Sequence, residues 1–257
     1  MIEYRNIHKA FDLPVLSGVD MSVETGEMFA LFGSSGTGKS VLLKTTIGLV
    51  APDIGDVEVE GISVYRGGRE AVETVRKKVG YVFQHSALFD SLNVFDNVAM
   101  GVPEDVLARM SRKESAAKVW EALELVNLEP REILSKIPSE LSGGMKKRVG
   151  IARAIIGRPE VLLWDEPTTG LDPINTAAVE RLIQRLSNEL QVTSLLVTHD
   201  VEGGLSMCDR VAMLDSGTLR FCGTPDEFRA CPDPVVQAFV NRAAAEAALD
   251  MVSESYD

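Results

Sequence analysis

The sequence predicts an α/β protein with a mainly parallel core sheet. Three observations carry this. Met28 to Phe32 and Val161 to Trp164 are unbroken apolar runs, the pattern of strands covered on both faces. Such runs alternate with stretches of helical spacing, as in doubly wound sheets. The first run feeds directly into Gly33-Ser34-Ser35-Gly36-Thr37-Gly38-Lys39-Ser40, a glycine-rich loop between a strand and a helix.

In chain order, Ile2, Tyr4 and Asn6, and then Val19, Met21 and Val23, alternate with polar neighbours and predict two strands before the turn Thr25-Gly26. The helix after the glycine loop is expected over Val41 to Leu49, closed by Gly48 with Pro52 soon after. Val57, Val59 and Val79 to Phe83 read as further strands, and Arg66 to Lys78 as a loop with a short helix. From Pro103 to Gly157 the alternation disappears, and Ala116, Val119, Leu123 and Val126 recur at helical spacing, so a helical insertion is expected. Strand character returns at Val161 to Trp164, Ser194 to Thr198, Val211 to Leu214 and Leu219 to Cys222. Residues 234–247 predict a final helix with Val236, Phe239, Val240, Ala243 and Ala247 on one face, packed on its own domain or on a partner.

The bulk numbers narrow the class. A net charge of −12 over 257 residues opposes extended contact with nucleic-acid phosphates, and no nucleic-acid partner is expected. Cys208, Cys222 and Cys231 show no C-x-x-C spacing and are read as reduced structural thiols. No charge-free run of about 18 residues and no signal-peptide layout occur, so the chain is expected to be cytosolic and not itself membrane-spanning.

The glycine loop fits G-x-x-x-x-G-K-[ST]. Its amides can turn inward to phosphate oxygens, Lys39 adds a point charge, and the Ser40 hydroxyl offers a magnesium ligand. A helix beginning near Lys39 adds its positive end. Val161-Leu162-Leu163-Trp164-Asp165-Glu166 supplies a second element, an apolar strand ending in two carboxylates at the sheet edge. Asp165 suits Mg²⁺, directly or through water, and Glu166 suits a general base polarising the attacking water.

With Phe11, the loop, Gln84, Leu141-Ser142-Gly143-Gly144-Met145, Asp165-Glu166, Leu171-Asp172 and His199 in this order, the sequence resembles the ATP-hydrolysing subunit of ABC transporters over about residues 1–230. The resemblance implies an ABC-type P-loop fold with an N-terminal antiparallel β portion and an inserted helical subdomain. The expected division is 1–102 for the first part of a RecA-like core with the β portion, 103–157 for the helical subdomain with the signature, 158–232 for the second core part and 233–257 for a helical tail. ATP and Mg²⁺ are the implied cofactors, the metal meeting Ser40, Gln84 and Asp165. Nucleotide binding falls to Phe11, stacked on adenine, to Gly33, Ser34, Ser35, Gly36, Thr37, Gly38, Lys39, Ser40 and Val41, and to Ser142, Gly143, Gly144 and Asp172. Catalysis falls to Glu166, His199, Gln84 and Lys39.

By the family's arrangement the signature closes on the γ-phosphate held by a second protomer, so a two-fold homodimer is implied, docked under an integral membrane permease on the cytoplasmic side of the membrane. Two positions depart from the common pattern: Met145 stands where Gln is usual, and Val41 where Ser or Thr is usual. Modest shifts in affinity are expected from both. Gln84 to Val98, with Ala87-Leu88-Phe89-Asp90-Ser91-Leu92, and the Met-plus-basic Met145-Lys146-Lys147-Arg148 resemble the ATPases of Mce/Mla-type lipid transporters. That implies phospholipid cargo and an Mce-type periplasmic lipid-binding partner. An ABC ATPase for another substrate class is the alternative, and a non-transport ABC ATPase acting on nucleic acid or the ribosome is a further one.

Overall fold

The computed structural model describes residues 1–241. The chain divides into two compact units, Met1–Tyr65 with the segment from Leu195 onward, and Arg66–Ser194.

The first unit opens with strands β1 (Ile2–Ala10) and β2 (Pro14–Val23), followed by β3 (Met28–Phe32), helix α1 (Lys39–Thr46), β4 (Ile54–Val59) and β5 (Ile62–Ser63). An antiparallel sheet in the order β2-β1-β4-β5 forms the expected N-terminal β portion. All five residues of β3 are buried, as its unbroken apolar run predicts. The period of two in β1 fails beyond Tyr4. Asn6 is exposed with φ 50°, the register slips between Tyr4 and Ile7, and the buried face resumes at Ile7. One extra residue in a strand exchanges its faces, so Asn6 does not continue the face of Ile2 and Tyr4.

The second unit holds α2 (Gly68–Lys78), β6 (Val79–Val82), α3 (Val94–Ala99), α4 (Glu104–Leu107), α5 (Arg112–Leu125), α6 (Pro130–Ile133), α7 (Gly143–Ile155), β7 (Val161–Asp165) and α8 (Pro173–Leu190). The expected helical insertion is present, although helix begins at Val94, and the short helix expected within Arg66 to Lys78 is α2, which fills most of that stretch. In α5, Val119 and Leu123 are buried as expected. Ala116 is exposed, however, and Ser115 takes the inward position four residues before Val119. Strand β6 runs parallel to β7.

Strand β8 (Thr193–Val197) begins in the second unit and ends in the first. The first unit then closes with α9 (Val201–Met207), β9 (Arg210–Asp215), β10 (Thr218–Gly223) and α10 (Pro225–Ala230). Strand β9 pairs parallel with β3 and antiparallel with β10. Residues 234–241 are helical. Val236 is buried, and the Phe239 ring lies 6.3 Å from Phe32, beside the Phe32–Phe228 contact at 5.4 Å. This half of the C-terminal stripe packs on its own unit, whereas Ala243 and Ala247 fall outside the described residues. The three cysteines are free, and burial pushes the Cys208 thiol well above the usual range.

Candidate functional site

In the first unit, β3 delivers the chain into a loop whose backbone only glycine accommodates. Gly33 (φ 151°) and Gly38 (φ 102°) are both buried. A Cβ at Gly33 would come within 2.4 Å of the Leu214 carbonyl oxygen, and one at Gly38 within 2.8 Å of Leu16 Cδ2. The Lys39 side chain, 5% exposed, folds back so that Nζ donates to the carbonyls of Gly33 (2.7 Å) and Ser34 (2.9 Å). Thr37 Oγ1 donates to the Ser34 carbonyl at 2.9 Å. The N-cap of α1 is Gly38, which has no side chain to cap the helix, so the positive end of the α1 dipole lies where the loop ends. Ser34, Ser35 and Gly36 are exposed, and Ser40 and Val41 half-buried. A buried ammonium, a helix N-terminus and a backbone too close for any Cβ make a cradle suited to a polyphosphate.

The same unit carries Phe11 and His199. Phe11 is 61% exposed, with Lys9 Nζ 5.3 Å from its ring centre, a flat apolar face open for stacking. His199 is exposed where β8 ends, immediately before Asp200, which caps α9 by accepting from the Gly203 amide at 2.9 Å.

In the second unit, β7 ends at Asp165, whose carboxylate is 5% exposed and accepts the Tyr81 hydroxyl at 2.8 Å. Glu166, one residue on, is half-buried and adopts φ 47°, a left-handed conformation uncommon outside glycine and asparagine. Its Oε2 accepts the Thr169 hydroxyl at 2.8 Å. The half-buried Gln84 lies past the end of β6, and its backbone carbonyl accepts from Lys147 Nζ of α7. Burial lowers the Lys147 pKa, and the nearby carboxylates of Glu166 and Asp165 oppose that fall.

Ser142 is the N-cap of α7, its hydroxyl accepting from the Met145 amide at 3.3 Å. The signature therefore forms the first turn of a 13-residue helix, with Ser142 and Gly143 exposed and Gly144 buried. A Cβ at Gly144 would lie 2.8 Å from Asn175 Oδ1. Asn175 in turn donates its side-chain amide to Asp172 Oδ2 (2.6 Å) and its backbone amide to Oδ1 (3.0 Å), holding the Asp172 carboxyl below the usual carboxylate range. The signature and the Asp172 turn are thus joined through Asn175.

Tyr81, Thr169, Asn175 and Asn97 are supporting residues that motif matching does not find. The hint for Asn97 is a polar residue in phase with Val94 and Val98 in a helix where both are buried. Asn97 is fully buried, receives the Phe89 amide at 2.8 Å and donates to the carbonyls of Phe89 (3.1 Å), Leu92 (3.0 Å) and Asn93 (3.0 Å). Asn97→Ala strands these loop groups. It is expected to cost about 2–3 kcal/mol of stability, read as a lowered urea midpoint with an unchanged slope.

A family model described as "ABC transporter" matches residues 16–169. The methionine import ATP-binding protein MetN 2 of Pseudomonas entomophila is 39% identical over 246 residues, spanning 93% of this chain and 72% of that protein. The methionine import ATP-binding protein MetN of Carboxydothermus hydrogenoformans is 38% identical over 88% of this chain and 66% of its own. Among solved structures, a dimeric ATP-binding cassette in a post-hydrolysis state bound to ADP and phosphate has a TM-score of 0.79 at 30% identity, covering 88% of this chain and 99% of that one. The cbiO1 protein of Clostridium perfringens, part of an ABC transporter complex, gives 0.79 at 28% identity over 97% and 98%. These relatives do not support the resemblance to Mce/Mla-type lipid transporters. With the family model over more than half the chain and a relative matched over most of both lengths, this chain belongs to the ABC transporter family, as an ATP-binding subunit with ATPase activity.

Proposed function

We propose that the chain is the ATPase of an ABC importer for a small solute of the amino-acid class, working as a homodimer beneath a membrane permease that receives cargo from a substrate-binding protein. The observation that carries the cargo class is the similarity, at 38–39% identity, to proteins named for methionine import. Among the described residues no helix is long and apolar enough to cross a membrane, so passage of the solute falls to a partner.

Each site residue then has a task. The loop amides of residues 33–38 and the Lys39 ammonium hold the β- and γ-phosphates, while Phe11 stacks on the base and Val41 borders the α-phosphate side. Ser40, Asp165 and Gln84 are hard oxygen donors that suit Mg²⁺. Among the described residues no group of three His, Cys, Asp or Glu forms a metal cage. Such a sparse protein set fits an ion that keeps water and phosphate oxygens, and when bound it neutralises charge developing on the phosphates. Glu166 accepts a proton from the attacking water, His199 steadies the γ-phosphate, and Gln84 reports the state of the site to the permease. Ser142, Gly143 and Gly144 offer an exposed helix terminus to the γ-phosphate of a second copy, and Asp172 faces that copy.

A second reading, lipid transport with an Mce-type partner, rests on the run Gln84 to Val98 and on the Met-plus-basic run Met145-Lys146-Lys147-Arg148 of the signature. Deletion of the gene separates the two. The importer reading expects uptake of labelled methionine to fall at least several-fold, with membrane phospholipid distribution unchanged. Intact uptake with a shifted phospholipid distribution favours the lipid reading instead.

A further inference from the structure

We propose that Lys147 and Arg153 of α7 are positioning residues that latch the glutamine loop, residues 84–87, and so tie the signature helix to the hydrolytic groups of the same chain. The proposal rests on the reading of Gln84, Asp165 and Glu166 as the hydrolytic groups.

The loop needs a latch because of its backbone. Ser86 (φ 54°) and Ala87 (φ 45°) are consecutive non-glycine residues in the left-handed region, which L-residues visit singly and at a cost. Neither side chain offers the local compensation that asparagine or glycine does. Such a conformation persists only where its surroundings over-determine it. Helix α7 supplies those surroundings from positions 147, 150 and 153, spaced three apart and therefore near one face. Lys147 Nζ donates to the Gln84 carbonyl. Arg153 donates Nη2 to the Ser86 carbonyl at 2.8 Å and Nη1 to the Ala87 carbonyl at 2.7 Å. Gly150 lies beneath Ser86, where a Cβ would be 3.2 Å from the Ser86 carbonyl oxygen. Each of three loop carbonyls is thus held by a cation.

Two features argue against incidental contacts. Lys147 is only 5% exposed, and a buried ammonium is costly unless carbonyls or carboxylates compensate for lost water. Its compensation comes from the Gln84 carbonyl and from the field of Glu166 and Asp165, so one charge faces both the glutamine loop and the carboxylate pair. Second, Lys147 and Arg153 belong to the helix whose first turn is Gly143-Gly144-Met145. The signature lies about one turn from Lys147, roughly 5 Å along the axis. A helix is stiff over that distance, so a displacement of its signature end is carried to the loop through the latch.

Lys147→Met keeps the length and removes the donor, and Lys147→Arg restores it. In the full-length chain, Lys147→Met is expected to speed amide exchange at Ser86 and Ala87 by about tenfold while leaving Val149 and Ile151 unchanged. It is expected to lower kcat for ATP hydrolysis by about ten- to a hundredfold with nucleotide affinity within about twofold. Lys147→Arg is expected to recover most of both. Unchanged exchange at Ser86 and Ala87 overturns the latch whatever the ATPase does. Faster exchange spread over Val149 and Ile151 overturns it too, since that marks general loosening of α7. Faster local exchange with unchanged kcat overturns the positioning role. A wild-type chain inactive towards ATP counts against the functional reading alone, and the exchange measurement still decides the latch.

Discussion

Glu166→Gln is expected to lower kcat for ATP hydrolysis by about 10²–10⁴-fold, the range for loss of a general base, while the nucleotide dissociation constant stays within about threefold. The substitution is nearly isosteric. The Thr169 hydroxyl that donates to Glu166 Oε2 at 2.8 Å can donate equally to an amide oxygen. The left-handed backbone at position 166 therefore keeps its local support, and the fold survives. The capacity to take a proton is lost, together with the negative charge facing Lys147, whose compensation then falls to Asp165 and the Gln84 carbonyl. Steady-state hydrolysis beside equilibrium binding of a fluorescent ATP analogue makes the check. An equal loss of binding and turnover would place Glu166 in nucleotide binding and contradict its assignment.

Lys39→Ala is expected to act on the other term. Charge-assisted hydrogen bonds to phosphate contribute about 1.5–3 kcal/mol, so nucleotide affinity falls about ten- to a hundredfold. Lys39 Nζ occupies the loop carbonyls of Gly33 and Ser34, and a polyphosphate competes for that same ammonium. The variant also leaves those two carbonyls without their donor, and some stability is lost before any ligand is added. Ligand stabilisation separates the two effects. At a hundred times the wild-type dissociation constant, ATP stabilises the wild type by about 2.7 kcal/mol, and the variant loses about 1.3 to 2.3 kcal/mol of that increment for a ten- to hundredfold loss of affinity, whatever its starting stability. An undiminished ATP-induced rise in the thermal midpoint would remove Lys39 from the phosphate site.

How far the sequence carries can be judged from particular residues. Met28 to Phe32 and Val161 to Trp164 are legible because a strand covered on both faces must be apolar throughout. The glycine loop was legible because Gly33 and Gly38 admit no Cβ, so chemistry and spacing are written together. The bulge at Asn6 was harder to see, since a one-residue insertion leaves composition intact and changes only which face follows. Along α5 the expected stripe holds at Val119, Leu123 and Val126 and fails at Ala116, where a small apolar residue is exposed while Ser115 takes the buried position. The left-handed residues Ser86, Ala87 and Glu166 carry no local signal at all, since none is glycine or asparagine and each conformation is imposed by contacts from elsewhere.

The site shows the same division. Motif spacing locates Lys39, Asp165, Glu166 and Ser142 because each stands in a short run whose residue types and spacing form a recognisable pattern. Their supports, Tyr81 on Asp165, Thr169 on Glu166 and Asn175 on Asp172, are ordinary residues whose role exists only once the chain is folded. Lys147 is the extreme case. In sequence it is one of two adjacent lysines in a basic stretch, a pattern that usually marks a solvated face. In the structure Lys146 is half-buried while Lys147 is enclosed, donating to the Gln84 carbonyl.

The central claim is that the exposed signature turn of one chain completes the ATP site of another. The most direct test is the solution mass of Glu166→Gln by light scattering, with and without ATP and Mg²⁺. Two chains per particle with ATP and one without it is the predicted result. A mass that does not respond to ATP, under conditions where nucleotide is shown to be bound, would contradict the account.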